Sequence, residues 1–277
     1  MEQVRTLTGP RTAGNENTGV LKLIAIALMI VDHVGAALLP QYRILRILGR
    51  IPMPLFCWGI VVGAEYSRNI WKYFLRIALV GVISQPCFML ALNHGIMDWN
   101  VFPTLALGLL GIAGIRWRRF GSHIWLPILA FVPTLFVNMD YGWTGVLLIL
   151  VLYACRKNRS ALAAGYAAFC LFWGLYYGAY REILGVTAQM MQVPWIKNLK
   201  NVSVLLMYVE FWAILSLPLI VIPMKGRLRI PKWIGYGAYP AHLLVIGVIR
   251  HWKEISDWLS RLPEHWATVT GWFKVFM

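Results

Sequence analysis

Apolar residues run through this chain in blocks of roughly fifteen to twenty-one, separated by short polar stretches rich in arginine, glycine and proline. The blocks lie at about residues 21–39, 51–66, 72–92, 101–115, 123–139, 141–155, 161–179, 203–223 and 233–250. A helix needs about twenty apolar residues to cross a hydrocarbon core about 30 Å thick. The pattern therefore predicts an all-α membrane bundle of nine transmembrane helices, or ten if the tail also crosses. Residues 1–18 form a polar leading segment and 19–251 the transmembrane domain. Residues 252–277 place Trp258, Leu259, Leu262, Trp266 and Trp272 among charges, as an interfacial amphipathic helix or a short tenth span would.

Composition agrees with this picture: of 277 residues, 59% are hydrophobic and 13% charged. A net charge of +15 would suggest nucleic acid in a soluble protein, but here the cations lie between apolar blocks and act as topology signals. Counted over alternate connections, sixteen lysines and arginines fall in one set and ten in the other. The richer set is expected in the cytoplasm, which puts the N-terminus inside a bacterial inner membrane. The first apolar block follows a polar stretch without an A-x-A cleavage site, so a retained helix is expected rather than a signal peptide. Cys57, Cys87, Cys155 and Cys170 have no metal-ligand spacing and read as packing residues.

The first block, KLIAIALMIVDHVGAALL, carries the most pointed chemistry. Lys22 and His33 are eleven residues apart, about three turns plus 20°, so they share one helical face. They are about 16 Å apart along the axis, which joins a surface cation to an imidazole near the middle of the membrane. Ionisable groups at that depth mark functional sites by default. A neutral histidine there can act as a general base; alternatively it hydrogen-bonds within a helix interface. Asp32, turned about 100° from His33, is poorly placed to orient that ring. Its expected partner is Arg46 or Arg50, from the cluster Arg43, Arg46 and Arg50 that the spacing of three and four puts on one face. Those arginines could instead snorkel to headgroups.

Further candidates are Asn100 at the start of the fourth block, the turn Asp140-Tyr141-Gly142, Glu210 in the eighth block, and His242 in the ninth at a depth similar to His33. Asn100 and Asp140 could equally be a helix cap and a turn former.

The ordered blocks LKLIAIALMIVDH, LGRIPMPLFCWGIVVG, NVFPTLALGLLG, DYGWTGVLLILVLY and YGAYPAHLLVIGVI, spanning Leu21 to Ile249, resemble the TraX family, named for the enzyme that acetylates the amino terminus of conjugative F pilin. The resemblance implies a multispan acetyltransferase using acetyl-CoA, with Asp32, His33, Gly49, Arg50, Pro54, Asn100, Tyr141, Gly142 and His242 as matched positions. The lysine, ten residues and histidine of the first block are also similar to the arginine, ten residues and histidine of the membrane acyltransferase-3 family, in which the histidine is the catalytic base.

Residues and resemblance together give one expectation. Acetyl-CoA lies against cytoplasmic cations drawn from Lys22, Lys72, Arg76, Arg116, Arg118 and Arg119, with Arg46 and Tyr141 grouped as further cofactor contacts. His33 is the base, with Asp32, Arg50, Asn100 and His242 around it, and Arg50 or Asn100 supplies the oxyanion donor. The acceptor is an amine or hydroxyl on the membrane or its outer side, and no metal or nucleic acid is expected. The competing class is a transporter or proton-coupled permease built on the same Asp, His and Arg cluster, although no paired repeat of broken helices is visible.

Overall fold

A computed structural model describes residues 11–185, 209–224, 226, 228 and 230–256, without the side chains of 177–185 and 232. Arg5, Arg181, Lys197, Lys200, Lys225, Arg227, Arg229, Lys232, the start of the eighth block and the tail from 257 are therefore sequence expectations outside the described side chains.

The described chain is almost wholly helical: α1 (Thr18–Ala37), α2 (Arg43–Leu48), α3 (Pro52–Tyr66), α4 (Ile70–Leu92), α5 (Val101–Trp117), α6 (Ser122–Leu129), α7 (Pro133–Phe136), α8 (Gly142–Cys155), α9 (Arg159–Gly185), a 3₁₀ segment (Val209–Ser216), α10 (Leu217–Val221) and α11 (Lys232–Arg250). Each of the nine apolar blocks is mainly helical where described. The count of nine spans is not reproduced as nine long helices. Among the described residues, three stretches are long and apolar enough to cross a membrane: Thr18–Ala37, Arg43–Tyr66 and Ile70–Leu92. Shorter apolar helices follow. The fifth block breaks into α6 and α7 where Pro133 takes the first position of a new helix, as proline's missing N–H and fixed φ favour. The eighth winds as a 3₁₀ helix before Pro218 opens α10.

Local chemistry sets the helix ends. Asn17 caps α1 by accepting from the Val20 N–H, and Asn69 caps α4 through Lys72 N–H, each supplying an acceptor for an orphan amide. The connections before α5 and α8 meet in a two-residue parallel bridge, β1 (Asp98–Trp99) with β2 (Asn138–Met139), where the sequence suggested only turns. Asn138 Nδ2 donates to Asp98 Oδ1 at 2.6 Å. That bond and the Gly95 N–H hold the Asp98 carboxyl below its ordinary value.

A core of buried apolar side chains, including Trp58, Leu109, Ile149 and Trp173, joins α1, α3, α5, α8 and α9. Leu75, Leu79, Val82 and Ile83 of α4 and Leu244, Val245 and Ile249 of α11 face outward, each 49% or more exposed. Bare aliphatic faces of this kind suit a lipid surround and would be penalised in water. The helices α4 and α11 pack against each other, and α1 packs against both as well as against α2 and α3.

Candidate active site

α1 organises the site. Thr18, Leu21, Lys22, Ile26 and Met29 line one chamber, and Met29, Asp32, His33 and Ala36 line a second. These positions recur at three- and four-residue spacing, so one helical face serves both chambers end to end over about 27 Å. The first chamber is about 550 Å³ and extends past Gly59, Gly63, Tyr73, Arg76 and Tyr236. The second is about 210 Å³ and holds His33, Arg46, Arg50, His94, Asp140 and Tyr141. Met29, Phe56, Val101 and Tyr239 belong to both. The Lys22 to His33 stripe read from the sequence is thus a surface that faces cavity along its whole length.

At the head of the second chamber, His33 Nδ1 lies 2.6 Å from Nε2 of His242, with the rings nearly parallel. Nδ1 of His242 is 2.7 Å from the Ala238 carbonyl oxygen. A carbonyl only accepts, so this nitrogen carries the proton; in a neutral imidazole the other nitrogen then has the lone pair. His242 Nε2 accepts from His33 Nδ1–H. The hydrogen-bond pattern therefore assigns His33 the tautomer with a bare Nε2. That atom has no hydrogen-bond partner among the described residues, on a side chain that lines the chamber. Tyr239, one turn before His242 on α11, meets both rings edge-on at 6.0 and 5.6 Å between centroids.

Beside the dyad is an ion cluster in which Asp32 and Arg50 are buried and Arg46 is half-buried. Arg46 donates to Asp32 Oδ1 at 2.6 Å and Arg50 to the same oxygen at 3.4 Å. Arg50 Nε donates to the Arg46 carbonyl, and its guanidinium lies 6.0 Å from the Tyr141 ring centre. The short helix α2 exists to make this turn: it ends at Gly49, where a Cβ would overlap the Asp32 carboxylate. Sequence spacing thus found both partners of Asp32.

Several expected residues fall elsewhere. Asn100 is fully buried, but its side-chain amide donates to the Gly81 carbonyl and to Gln85 Oε1, and its oxygen accepts from Phe102 N–H. Both of its donor hydrogens are spent, so it caps α5 and is not available to an oxyanion. Arg46 and Tyr141, grouped as further cofactor contacts, both line the second chamber, Arg46 paired there with Asp32. Arg116 donates to the Ala64 carbonyl and ties off α3. Arg118 ends α5 in a left-handed conformation, and it, Arg119 and Lys72 are exposed and absent from both chamber walls. Of the predicted cytoplasmic cations, Lys22 and Arg76 line the first chamber. His242 does not line the second chamber; it stands behind His33. Tyr239 and His94 were missed. Tyr239 shares the His242 face at a spacing of three, a signal present in the sequence; His94 reaches the chamber from a turn, stacked on Phe88, and gave none.

The TraX protein family model matches residues 17–250. The chain belongs to the TraX family. It is similar to a probable fimbrial assembly protein, FimC of serogroup H1, from Dichelobacter nodosus, 33% identical over 180 residues, covering 60% of this chain and 72% of that one. An uncharacterized protein of Rickettsia prowazekii is 49% identical over 89 residues, covering 32% of this chain and 34% of its own. No solved structure matches the chain. The TraX match spans the dyad, the ion cluster, the second chamber and all of the first chamber's lining but Glu16.

Proposed function

We propose that this TraX-family protein is a membrane acetyltransferase that moves acetyl from acetyl-CoA in the first chamber to an amine or hydroxyl presented in the second. The observation that carries the reading is the hydrogen-bond chain Ala238–His242–His33: it assigns a neutral His33 whose Nδ1–H is taken by His242, leaving Nε2 bare on a side chain that lines the small chamber and poised to accept a proton. The large chamber suits the donor. Its volume lies in the range of ligand sites, and Lys22 and Arg76 offer cations to phosphates while its apolar wall suits an uncharged arm. The acceptor end is the small chamber, where a nucleophile meets His33.

In the step itself, the acceptor N–H or O–H attacks the thioester carbonyl carbon while His33 Nε2 takes the proton. The tetrahedral oxyanion is met by a guanidinium N–H of Arg50, held in place by Asp32 and the Arg46 carbonyl. The C–S bond then breaks, and the proton on Nε2 passes to the departing thiolate. The acetylated acceptor and free CoA leave by opposite chambers. The name of the Dichelobacter relative points to a fimbrial subunit as one acceptor class. With the positive-inside rule, the Lys22 end faces the cytoplasm of a bacterial inner membrane, which is where acetyl-CoA is made.

Calorimetry with acetyl-CoA and with desulfo-CoA on the purified protein tests the donor site. Binding of both that survives His33→Ala supports a donor chamber with His33 acting in chemistry. Failure of both to bind, together with substrate flux across proteoliposomes without an acetylated product, would move the assignment to the transporter class.

A further inference from the structure

The two chambers meet at four side chains from four helices: Met29 of α1, Phe56 of α3, Val101 of α5 and Tyr239 of α11. Met29, Val101 and Tyr239 are buried, and Phe56 packs against the core. We infer that this wall is the acyl-size filter of the enzyme, passing a two-carbon acyl group and rejecting longer ones. The inference rests on the acyl-transfer reading above and adds which residues set the donor's acyl length.

The geometry makes the wall unavoidable. A thioester that enters past Lys22 must bring its carbonyl to His33, and the α1 face that leads there passes through Met29 at the junction. Beyond the junction only about 210 Å³ is available for acyl group and acceptor together, below the roughly 300 Å³ at the lower end of ordinary ligand pockets. Two sides of the junction are stiff. Tyr239 is held edge-on by Phe102 at 5.0 Å and by both histidine rings, and Val101 sits in the first turn of α5 directly after its Asn100 cap. Val101 is also β-branched. Met29 is the unbranched, adaptable member. The same four side chains also wall the small chamber that acyl group and acceptor share, so each methylene added to the acyl group is crowded against them.

The test is a donor series of acetyl-, propionyl- and butyryl-CoA on the full-length protein in nanodiscs, with glycinamide as the amine probe and thiol release as the readout. One methylene against a packed wall is worth about 10- to 200-fold in kcat/KM. The native protein is expected to prefer acetyl over propionyl by about tenfold or more. Met29→Ala and, separately, the milder Val101→Ala should lower that ratio by about tenfold. Leu79→Ala on the outward face of α4 should leave it unchanged. The ratio is internal to each variant, so partial loss of folded protein does not mimic the effect. An active native protein that uses butyryl-CoA as well as acetyl-CoA, or a ratio unmoved in both wall variants, overturns the filter alone. A native protein inert with every donor overturns the acyl-transfer reading and the filter with it.

Discussion

Replacing His242 with leucine removes the acceptor for the His33 Nδ1–H while keeping an apolar side chain of similar reach. In the native site that hydrogen bond is 2.6 Å and fully inside the bundle. Its loss strands a buried donor, a cost of about 1–3 kcal/mol, and lets the proton move to Nε2, the nitrogen that must be bare for catalysis. If that cost falls on the transition state, kcat drops about 5- to 150-fold, since about 1.4 kcal/mol is a factor of ten. The donor chamber is untouched, so the KM for acetyl-CoA stays within about twofold. His242→Gln restores a carbonyl acceptor and an N–H for Ala238 and should recover most of the lost rate. Steady-state kinetics on purified protein in nanodiscs give all three numbers. A leucine variant at native rate, or a glutamine variant no better than leucine, would refute the role of His242 in fixing the His33 tautomer.

Lys22→Ala and Arg76→Ala should each raise the KM for acetyl-CoA severalfold with little change in kcat, whereas Arg118→Ala and Arg119→Ala should change neither; the same kinetics distinguish the pairs. Asp32→Ala leaves Arg50 buried and unpaired, and breaking a buried pair from one side costs about 3–5 kcal/mol. A large drop in thermal midpoint in detergent is expected, and a midpoint within two degrees of native would contradict it. The bridge between Asp98 and Asn138 gives a pH dependence. Because Asp98 is held below its ordinary value in the folded protein, its contribution is fully present above about pH 4 and is lost as pH falls further. Asn138→Ala should flatten that acid limb of the melting profile.

Reading the sequence placed individual side chains on α1 and beside Asp32 better than it placed the helix ends. The eleven-residue spacing from Lys22 to His33 is a geometric fact of a helix, so the chamber-lining face of α1 was visible in one dimension. The three-and-four spacing of Arg43, Arg46 and Arg50 likewise foretold that arginines fold onto Asp32; Arg46 reaches it from α2 and Arg50 from just past the Gly49 cap. What the chain could not disclose was which cations share a cavity. Arg116 to Arg119 form the densest basic run between α5 and α6, yet Arg116 is spent on the Ala64 carbonyl, a contact between helices that no local pattern encodes. Asn100 could be read as a cap or a site group; it caps α5 through Oδ1, which accepts from Phe102 N–H, while both of its amide hydrogens are taken by α4. The His33 to His242 bond joins residues 209 positions apart; the sequence put both histidines at similar depth, and the packing of α1 beside α11 is what joins them.

The most direct test of the central claim is transfer of labelled acetyl from acetyl-CoA by purified protein in proteoliposomes, native beside His33→Ala, with donor binding measured on the same preparations. Loss of the base is expected to lower transfer by about 10²- to 10⁴-fold while acetyl-CoA binds the variant as it binds the native protein. A His33→Ala protein that transfers acetyl at the native rate would contradict the account.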